Sequence, residues 1–149
     1  MTGTTASAHR PESADRANDD VSTTAAQAAA SYAGTFPGHA REASSVRREI
    51  AAYLDNCPVT QDMILIASEL TANAILHTQS RSSTLRVRCQ LSPRAARIEV
   101  EDLGGPWRTR QPSDRPHGLD IIQALTGPDG WGTRPASTGG RIVWAQLTW

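Results

Sequence analysis

Two neighbouring segments with period-two alternation place the strongest constraint on how this chain folds. Apolar side chains alternate with polar ones through residues 84–91 and again through residues 97–102. Since successive side chains of a strand point to opposite faces, each segment predicts a strand with one buried and one solvated face. The intervening Ser92-Pro93-Arg94 is typical of a turn. The two segments therefore predict a β-hairpin that needs a covering layer on one face.

Helical periodicity on both sides of the hairpin supplies that layer. Apolar residues recur at three- and four-residue steps in residues 39–55, in a second helix that begins near Thr60, its expected N-cap, and in residues 117–125. A short edge strand is predicted at residues 32–36, a turn at 127–132 and a closing strand at 141–149. Because strands and helices do not alternate strictly, a Rossmann-like parallel sheet is disfavoured. We predict an α+β fold, a two-layer α/β sandwich with helices on one face of the sheet. The sheet is either mixed and mostly antiparallel, or wholly antiparallel.

Composition divides the chain into two parts. The first 30 of its 149 residues contain almost no large apolar side chains. Such a segment buries too little surface to offset its ordering entropy, so residues 1–30 are predicted to be a disordered tail. Residues 31–149 are long enough to form one domain with a hydrophobic core.

Charge and hydropathy limit the classes of function that are open to this chain. Fifteen basic and fifteen acidic residues give a net charge of +0, which offers no electrostatic case for binding nucleic acid or an anionic membrane. No apolar run approaches the roughly 20 residues that span a bilayer, and the N-terminus lacks a signal-peptide core, so a cytoplasmic location is expected. The chain has no lysine, which excludes a P-loop and Schiff-base catalysis.

Three polar residues occur at four-residue intervals in the second helix. Glu69, Asn73 and His77 fall on one line of that helix; Glu69 and Asn73 lie at the margin of its apolar stripe, and His77 lies closer to its centre. Polar groups at the edge of a buried face suit the wall of a cleft. A solvated helix flank, with His77 near the helix end, is the alternative.

Glycines and one aspartate mark three further positions. Asp102 continues the buried parity of its strand, where a carboxylate needs a partner, although the strand end could equally begin a turn there. Gly118 precedes an apolar helix whose first N–H groups could bind phosphate, and a loop glycine is the alternative. The pair Gly139-Gly140 before the last strand is typical of a turn.

The order of these four pieces resembles that of the Bergerat-fold (GHKL) ATPases, the superfamily that includes DNA gyrase and the histidine kinases. Within it, residues 32–149 look like the stand-alone anti-sigma-factor serine/threonine kinases. The likeness is carried by Glu-x3-Asn-x3-His, then Asp-x-Gly after a strand, Gly-Leu opening a helix, and Gly-x-x-Val before a closing strand.

The resemblance implies ATP and Mg²⁺ as cofactors and assigns a role to each matching residue. Glu69 corresponds to the general base, and Asn73 to the residue whose side-chain oxygen holds Mg²⁺ against the ATP phosphates. Asp102 corresponds to the acceptor of the adenine amine. The remaining ATP-binding positions are Gly104 in the adenine loop, Gly118 and Leu119 at the phosphate-binding helix start, and Gly140 before the last strand. His77 matches the end of the helix signature, with a structural role or a ligand contact.

The resemblance also implies partners and leaves two functions open. The first is a kinase that phosphorylates a serine of an anti-anti-sigma (STAS-type) protein; the partners implied are that protein, a sigma factor or both. A homodimer is expected because the kinase relatives are dimeric. The second is a nucleotide-binding module that acts by protein–protein association, without catalysis. Two departures from the family pattern favour it: Gly105 stands one place early in the adenine loop, and Pro116 replaces a phosphate-loop glycine.

Overall fold

The computed structural model describes residues 30–77, 84–102 and 118–149, with the backbone only for His77. Within these ranges, eight elements follow one another: β1 (Ala30–Pro37), α1 (Glu42–Tyr53), α2 (Thr60–His77), β2 (Thr84–Ser92), β3 (Ala95–Asp102), α3 (Gly118–Thr126), β4 (Trp131–Pro135) and β5 (Arg141–Thr148). The predicted tail, apart from Ala30, lies outside the described residues, so the domain division stays a prediction.

The strands form one five-stranded sheet in the order β1-β2-β3-β5-β4. All four pairings among these strands are antiparallel. The α+β fold class is therefore confirmed, with the wholly antiparallel form of the sheet. The predicted hairpin is β2 and β3, and its register aligns the buried parities, with Val87 opposite Val100 and Cys89 opposite Ile98.

One face of the sheet and the three helices bury a common hydrophobic core. The sheet contributes side chains of the predicted parity, and the helices contribute their apolar stripes. Fully buried members include Leu85, Val87, Ile98, Ile50, Met63, Ile66, Leu70 and Ile122. Burial of this many large aliphatic side chains stabilises the two-layer sandwich, at roughly 1.5–3 kcal/mol for each one.

The outer face of the sheet carries charge, as its polar parity predicts. Two carboxylates on β3 form a network of ion pairs with guanidinium groups from β2, β3 and β4; its members are Glu99, Glu101, Arg86, Arg88, Arg97 and Arg134. The guanidinium carbon of Arg97 also stacks 4.0 Å from the ring centroid of Trp144. These contacts hold long side chains flat against the strands.

Two local predictions were wrong. The predicted turn at residues 127–132 ends earlier, because β4 begins at Trp131 and pairs with β5. Gly132 obscured this strand in the sequence, yet glycine suits the position, because a Cβ there would lie 3.0 Å from the indole of Trp144. Thr60 was expected to cap α2. Its hydroxyl instead lies 2.6 Å from the carbonyl oxygen of Leu54 and 2.7 Å from that of Cys57, and so ties α2 to the end of α1.

In the described part of the chain, no helix combines the length and the apolar character needed to cross a membrane.

Candidate functional site

The candidate site begins on α2, where two polar residues lie beside the buried stripe. Ile66, Leu70 and Ala74 are between 0% and 2% exposed and face the core. Glu69 and Asn73 are half-buried and lie one helical turn apart along the edge of that face. The helix therefore anchors both polar side chains rigidly while leaving each partly accessible.

The start of α3 packs directly against this strip. Gly118 is the first residue of α3, and a Cβ built on it would contact the Glu69 carboxylate oxygen Oε2. The same Cβ would lie 3.2 Å from Glu69 Cβ and 3.3 Å from Asn73 Nδ2. Three residues assigned to the site from the sequence are thus neighbours in space. Only glycine leaves the Glu69 carboxylate where it is.

Asn73 brings a buried polar atom to this junction. Its Nδ2 atom is buried, and within the described segments it has no hydrogen-bond partner. Buried amide groups are normally hydrogen-bonded, because leaving one unsatisfied costs roughly 1–3 kcal/mol. The oxygen and nitrogen of an asparagine side chain are assigned from their surroundings, so the finding concerns the whole amide. Such an amide is suited to receive a ligand.

The junction fits Mg²⁺ bound to a nucleotide. Mg²⁺ takes one or two protein oxygens and completes its shell with water and phosphate. Asn73 would supply such an oxygen, and the first N–H groups of α3 are suited to phosphate. The described residues contain no group of three or more His, Cys, Asp or Glu side chains able to hold a metal by themselves. A single amide oxygen suits an ion that takes its other ligands from a nucleotide and from water.

Asp102 lies at the end of β3, on the face that the helices cover. The residue is 1% exposed, so the expectation of an inward-facing carboxylate is confirmed. Its Cα partners are Leu85 on β2 and Arg141 on β5. Gly140 immediately precedes Arg141, so two more of the assigned residues, Asp102 and Gly140, lie at one end of the sheet.

Of the remaining assigned positions, the structure describes some and not others. Leu119 is partly buried and packs against the hydrophobic core, which anchors the start of α3. Gly104 lies outside the described residues, as do Gly105 and Pro116. His77 is the last residue of α2, and its assignment stays a prediction.

The sequence did not predict that Glu101 is buried and hydrogen-bonded. Its parity predicted a solvated side chain, yet the residue is 2% exposed and lies next to Asp102. The Thr138 hydroxyl donates to its Oε1 atom over 2.9 Å. No spacing in the sequence signals this contact, because it depends on how β3, β5 and the turn before β5 are aligned.

A comparison with protein families agrees with this geometry. The model of the family described as "Histidine kinase-like ATPase domain" matches residues 36–134, about two-thirds of the chain. The chain therefore belongs to the histidine kinase-like ATPase family. No curated protein matches it.

The family match supports the general part of the functional prediction, namely ATP binding. It covers the α2 strip, the end of β3 and the start of α3. A histidine kinase-like ATPase domain is an ATP-binding domain of the GHKL type, so the match supports an ATP-binding regulatory function. ATP, usually with Mg²⁺, is the ligand that this family implies.

Proposed function

We propose that this protein is an ATP-dependent serine/threonine kinase of the anti-sigma-factor type, and that its substrate is a serine of an anti-anti-sigma partner. The observation that supports the proposal is the close approach of Gly118 to both Glu69 and Asn73. The proposed base, the proposed Mg²⁺ ligand and the proposed phosphate-binding helix start are therefore neighbours in space.

The proposed reaction assigns one task to each group. The Glu69 carboxylate accepts the proton of the serine hydroxyl as that oxygen attacks the γ-phosphorus of ATP. The bond between the γ-phosphorus and the bridging oxygen breaks, and ADP leaves with the electron pair. Asn73 would hold Mg²⁺, which neutralises phosphate charge, and backbone N–H groups of α3 would bind phosphate oxygens. Asp102 would accept a hydrogen bond from the adenine amine, as an ionised carboxylate can.

The remaining features of the proposal rest on the family resemblance. The protein would act in the cytoplasm, bind an anti-anti-sigma protein, a sigma factor or both, and form a homodimer. A second candidate is a nucleotide-binding module that associates with protein partners without turnover. The replacement of a phosphate-loop glycine by Pro116 favours this alternative, because proline fixes φ and removes one N–H donor.

The first experiment measures nucleotide binding. Mg-ATP at about 100 times its Kd should stabilise the wild-type protein by roughly 2.7 kcal/mol, which appears as a higher melting temperature. Asn73→Ala should abolish the shift, and Gln61→Ala, an exposed change on the same helix, should retain it. An equal shift in melting temperature in both variants would show that Asn73 does not contribute to binding Mg-ATP.

The second experiment separates kinase from binding module. Wild-type protein, Glu69→Gln and the α1 surface control Glu49→Gln are incubated with labelled ATP and an anti-anti-sigma substrate. The kinase proposal expects transfer by the wild type and the control, with a loss of about 100-fold or more in Glu69→Gln. Mg-ATP binding without transfer by the wild type would support the binding module instead.

A further inference from the structure

Glu101 occupies an unusual position for a buried carboxylate. It lies on the outer face of the sheet, opposite in parity to Val100 and Asp102, yet its side chain is only 3% exposed. Carboxylates are rarely buried to this degree unless charged and hydrogen-bonding groups surround them. Its surroundings therefore show what holds it there.

Three donors surround the Glu101 carboxylate. Oε2 lies 3.4 Å from Nη1 of Arg86 and 3.2 Å from Nη2 of Arg88, both on the neighbouring strand β2. Oε1 accepts the 2.9 Å hydrogen bond from the Thr138 hydroxyl. The two arginines hold the carboxylate flat on the sheet, and its second oxygen is directed to a different part of the chain.

Thr138 belongs to the tight turn between β4 and β5. The Ala136 N–H donates to the Gly140 carbonyl over 2.9 Å, and the Gly139 N–H donates to the Ala136 carbonyl over 3.1 Å. Gly139 has a φ of +90°, a conformation that glycine adopts without strain. The turn thus has a defined backbone shape, and the Thr138 hydroxyl attaches its tip to β3.

That attachment lies beside the candidate nucleotide site. Glu101 and Asp102 are consecutive on β3 and point to opposite faces, so one residue binds the turn while the other faces the helix side. Gly140 ends the turn, and the next residue, Arg141, is the Cα partner of Asp102. Any displacement of the turn would therefore move Gly140 relative to Asp102.

We infer that Glu101 and Thr138 are positioning residues: their hydrogen bond fixes the turn at residues 136–140, and thereby the edge of the nucleotide-base pocket at Gly140. This inference rests on the proposed role of Asp102 in binding the base and on the assignment of Gly140 as an ATP-binding position. In this proposal both residues act through the turn and do not contact the nucleotide. Their effect is expected on base recognition, with the phosphate end near Gly118 unchanged.

The test compares Thr138→Val with two matched variants. Valine keeps the shape of threonine and removes the hydroxyl, whereas Thr138→Ser retains the hydroxyl. Thr133→Val makes the same chemical change at an exposed position of β4. For each variant, calorimetry gives the Kd of Mg-ATP and of Mg-GTP, and thermal unfolding gives the stability of the unliganded protein.

The expected result is a loss of base discrimination in Thr138→Val alone. Its Kd for Mg-ATP should rise about threefold or more, the size expected for one hydrogen bond, and its preference for ATP over GTP should fall. Thr138→Ser and Thr133→Val should behave as the wild type. Glu101→Gln provides a second route, because it removes the charge at the other end of the bond, and it should lower the same preference.

Two results would overturn the inference while leaving the proposed function standing. One is a Thr138→Val protein with lower melting temperature but wild-type Kd values and base preference, which would make the bond purely structural. The other is an equal effect of Thr133→Val, which would indicate general loosening of the hairpin. If the wild-type protein bound no Mg-ATP, the proposed function would fail first, and the inference with it.

Discussion

The α-carbon of Gly118 lies so close to the Glu69 side chain that a single added methyl group would meet the carboxylate. This relationship joins two helices that are far apart in sequence. It also gives the glycine a role beyond ending a loop, because the absent side chain is what allows the start of α3 to approach the α2 strip.

Gly118→Ala is expected to impair catalysis more than stability. The new methyl group would displace the Glu69 carboxylate, which is the flexible end of its side chain, and the fold would survive. A misplacement of about 1 Å in a catalytic group can cost about 100-fold in rate. We expect phosphotransfer to fall by about tenfold or more, with the melting temperature within about 3 °C of the wild type.

A double-mutant cycle tests whether this loss runs through Glu69. In the Glu69→Gln background, Gly118→Ala should add little to the rate loss, since the carboxylate proposed as the base is already gone. Fully additive losses would mean that the methyl group acts elsewhere, for example on the amide of Asn73, which lies 3.3 Å from the same Cβ position.

Asp102→Asn is expected to weaken recognition of the adenine amine. The substituted amide is neutral and presents donors as well as one acceptor oxygen, whereas the carboxylate only accepts. A hydrogen bond to a charged group contributes about 1.5–3 kcal/mol, so the Kd of ATP should rise by about tenfold or more.

Calorimetry with two nucleotides, ATP and an ATP analogue that lacks the exocyclic amine of adenine, gives the decisive measurement for Asp102. The wild type should bind ATP more tightly than the analogue, and Asp102→Asn should bind the two about equally. Glu99→Gln is the control, because Glu99 lies on the same strand but faces the outer ion-pair network. An unchanged preference in Asp102→Asn would remove the carboxylate from base recognition.

Periodicity predicted most of the fold, because the elements with clear patterns are those whose faces are either buried or solvated. The β2–β3 hairpin and the apolar stripe of α2 follow directly from spacing. Strand β4 could not be predicted in this way, since Gly132 is unusual in a strand and is explained only by the Trp144 ring across the pairing. That pairing involves residues from separate elements.

The candidate site was predictable residue by residue, but its assembly was not. Glu69 and Asn73 share a helix, so their proximity follows from a four-residue interval. The contact of Gly118 with both depends on how α3 packs on α2, and the hydrogen bond from Thr138 to Glu101 depends on strand order. A sequence spacing carries no information about either arrangement.

Two leucines of α2 provide a matched test of the core. Leu70 is 0% exposed and Leu76 is 65% exposed, although both belong to the same helix. Leu70→Ala should reduce the free energy of unfolding by about 2–5 kcal/mol, through lost burial and a cavity. Leu76→Ala should change it by no more than about 0.5 kcal/mol. Denaturant titration of both variants checks the prediction, and comparable losses would show that the two sides of α2 are not distinguished by burial.

The Cys89 thiol makes stability depend on pH in the alkaline range. Burial, with a smaller contribution from the nearby Cys57, raises the pKa of Cys89 from 9.0 to about 12. The folded protein therefore binds this proton more tightly than the unfolded chain does. The resulting stabilisation is fully present below pH 9 and is lost as the pH rises from 9 towards 12, at a slope of up to about 1.4 kcal/mol per pH unit.

Urea unfolding between pH 8 and about pH 11, in the presence of a reducing agent, tests this linkage. The difference in unfolding free energy between the wild type and Cys89→Ala should be constant near pH 8, where it reflects packing alone. Above pH 9 the wild type should lose stability faster than Cys89→Ala, because only the wild type must keep the buried thiol protonated. Cys57→Ala is the control and should retain most of the wild-type slope, since burial is the main cause of the shift. Parallel curves for the wild type and Cys89→Ala across this range would mean that the thiol ionises as readily in the folded protein as in the unfolded chain.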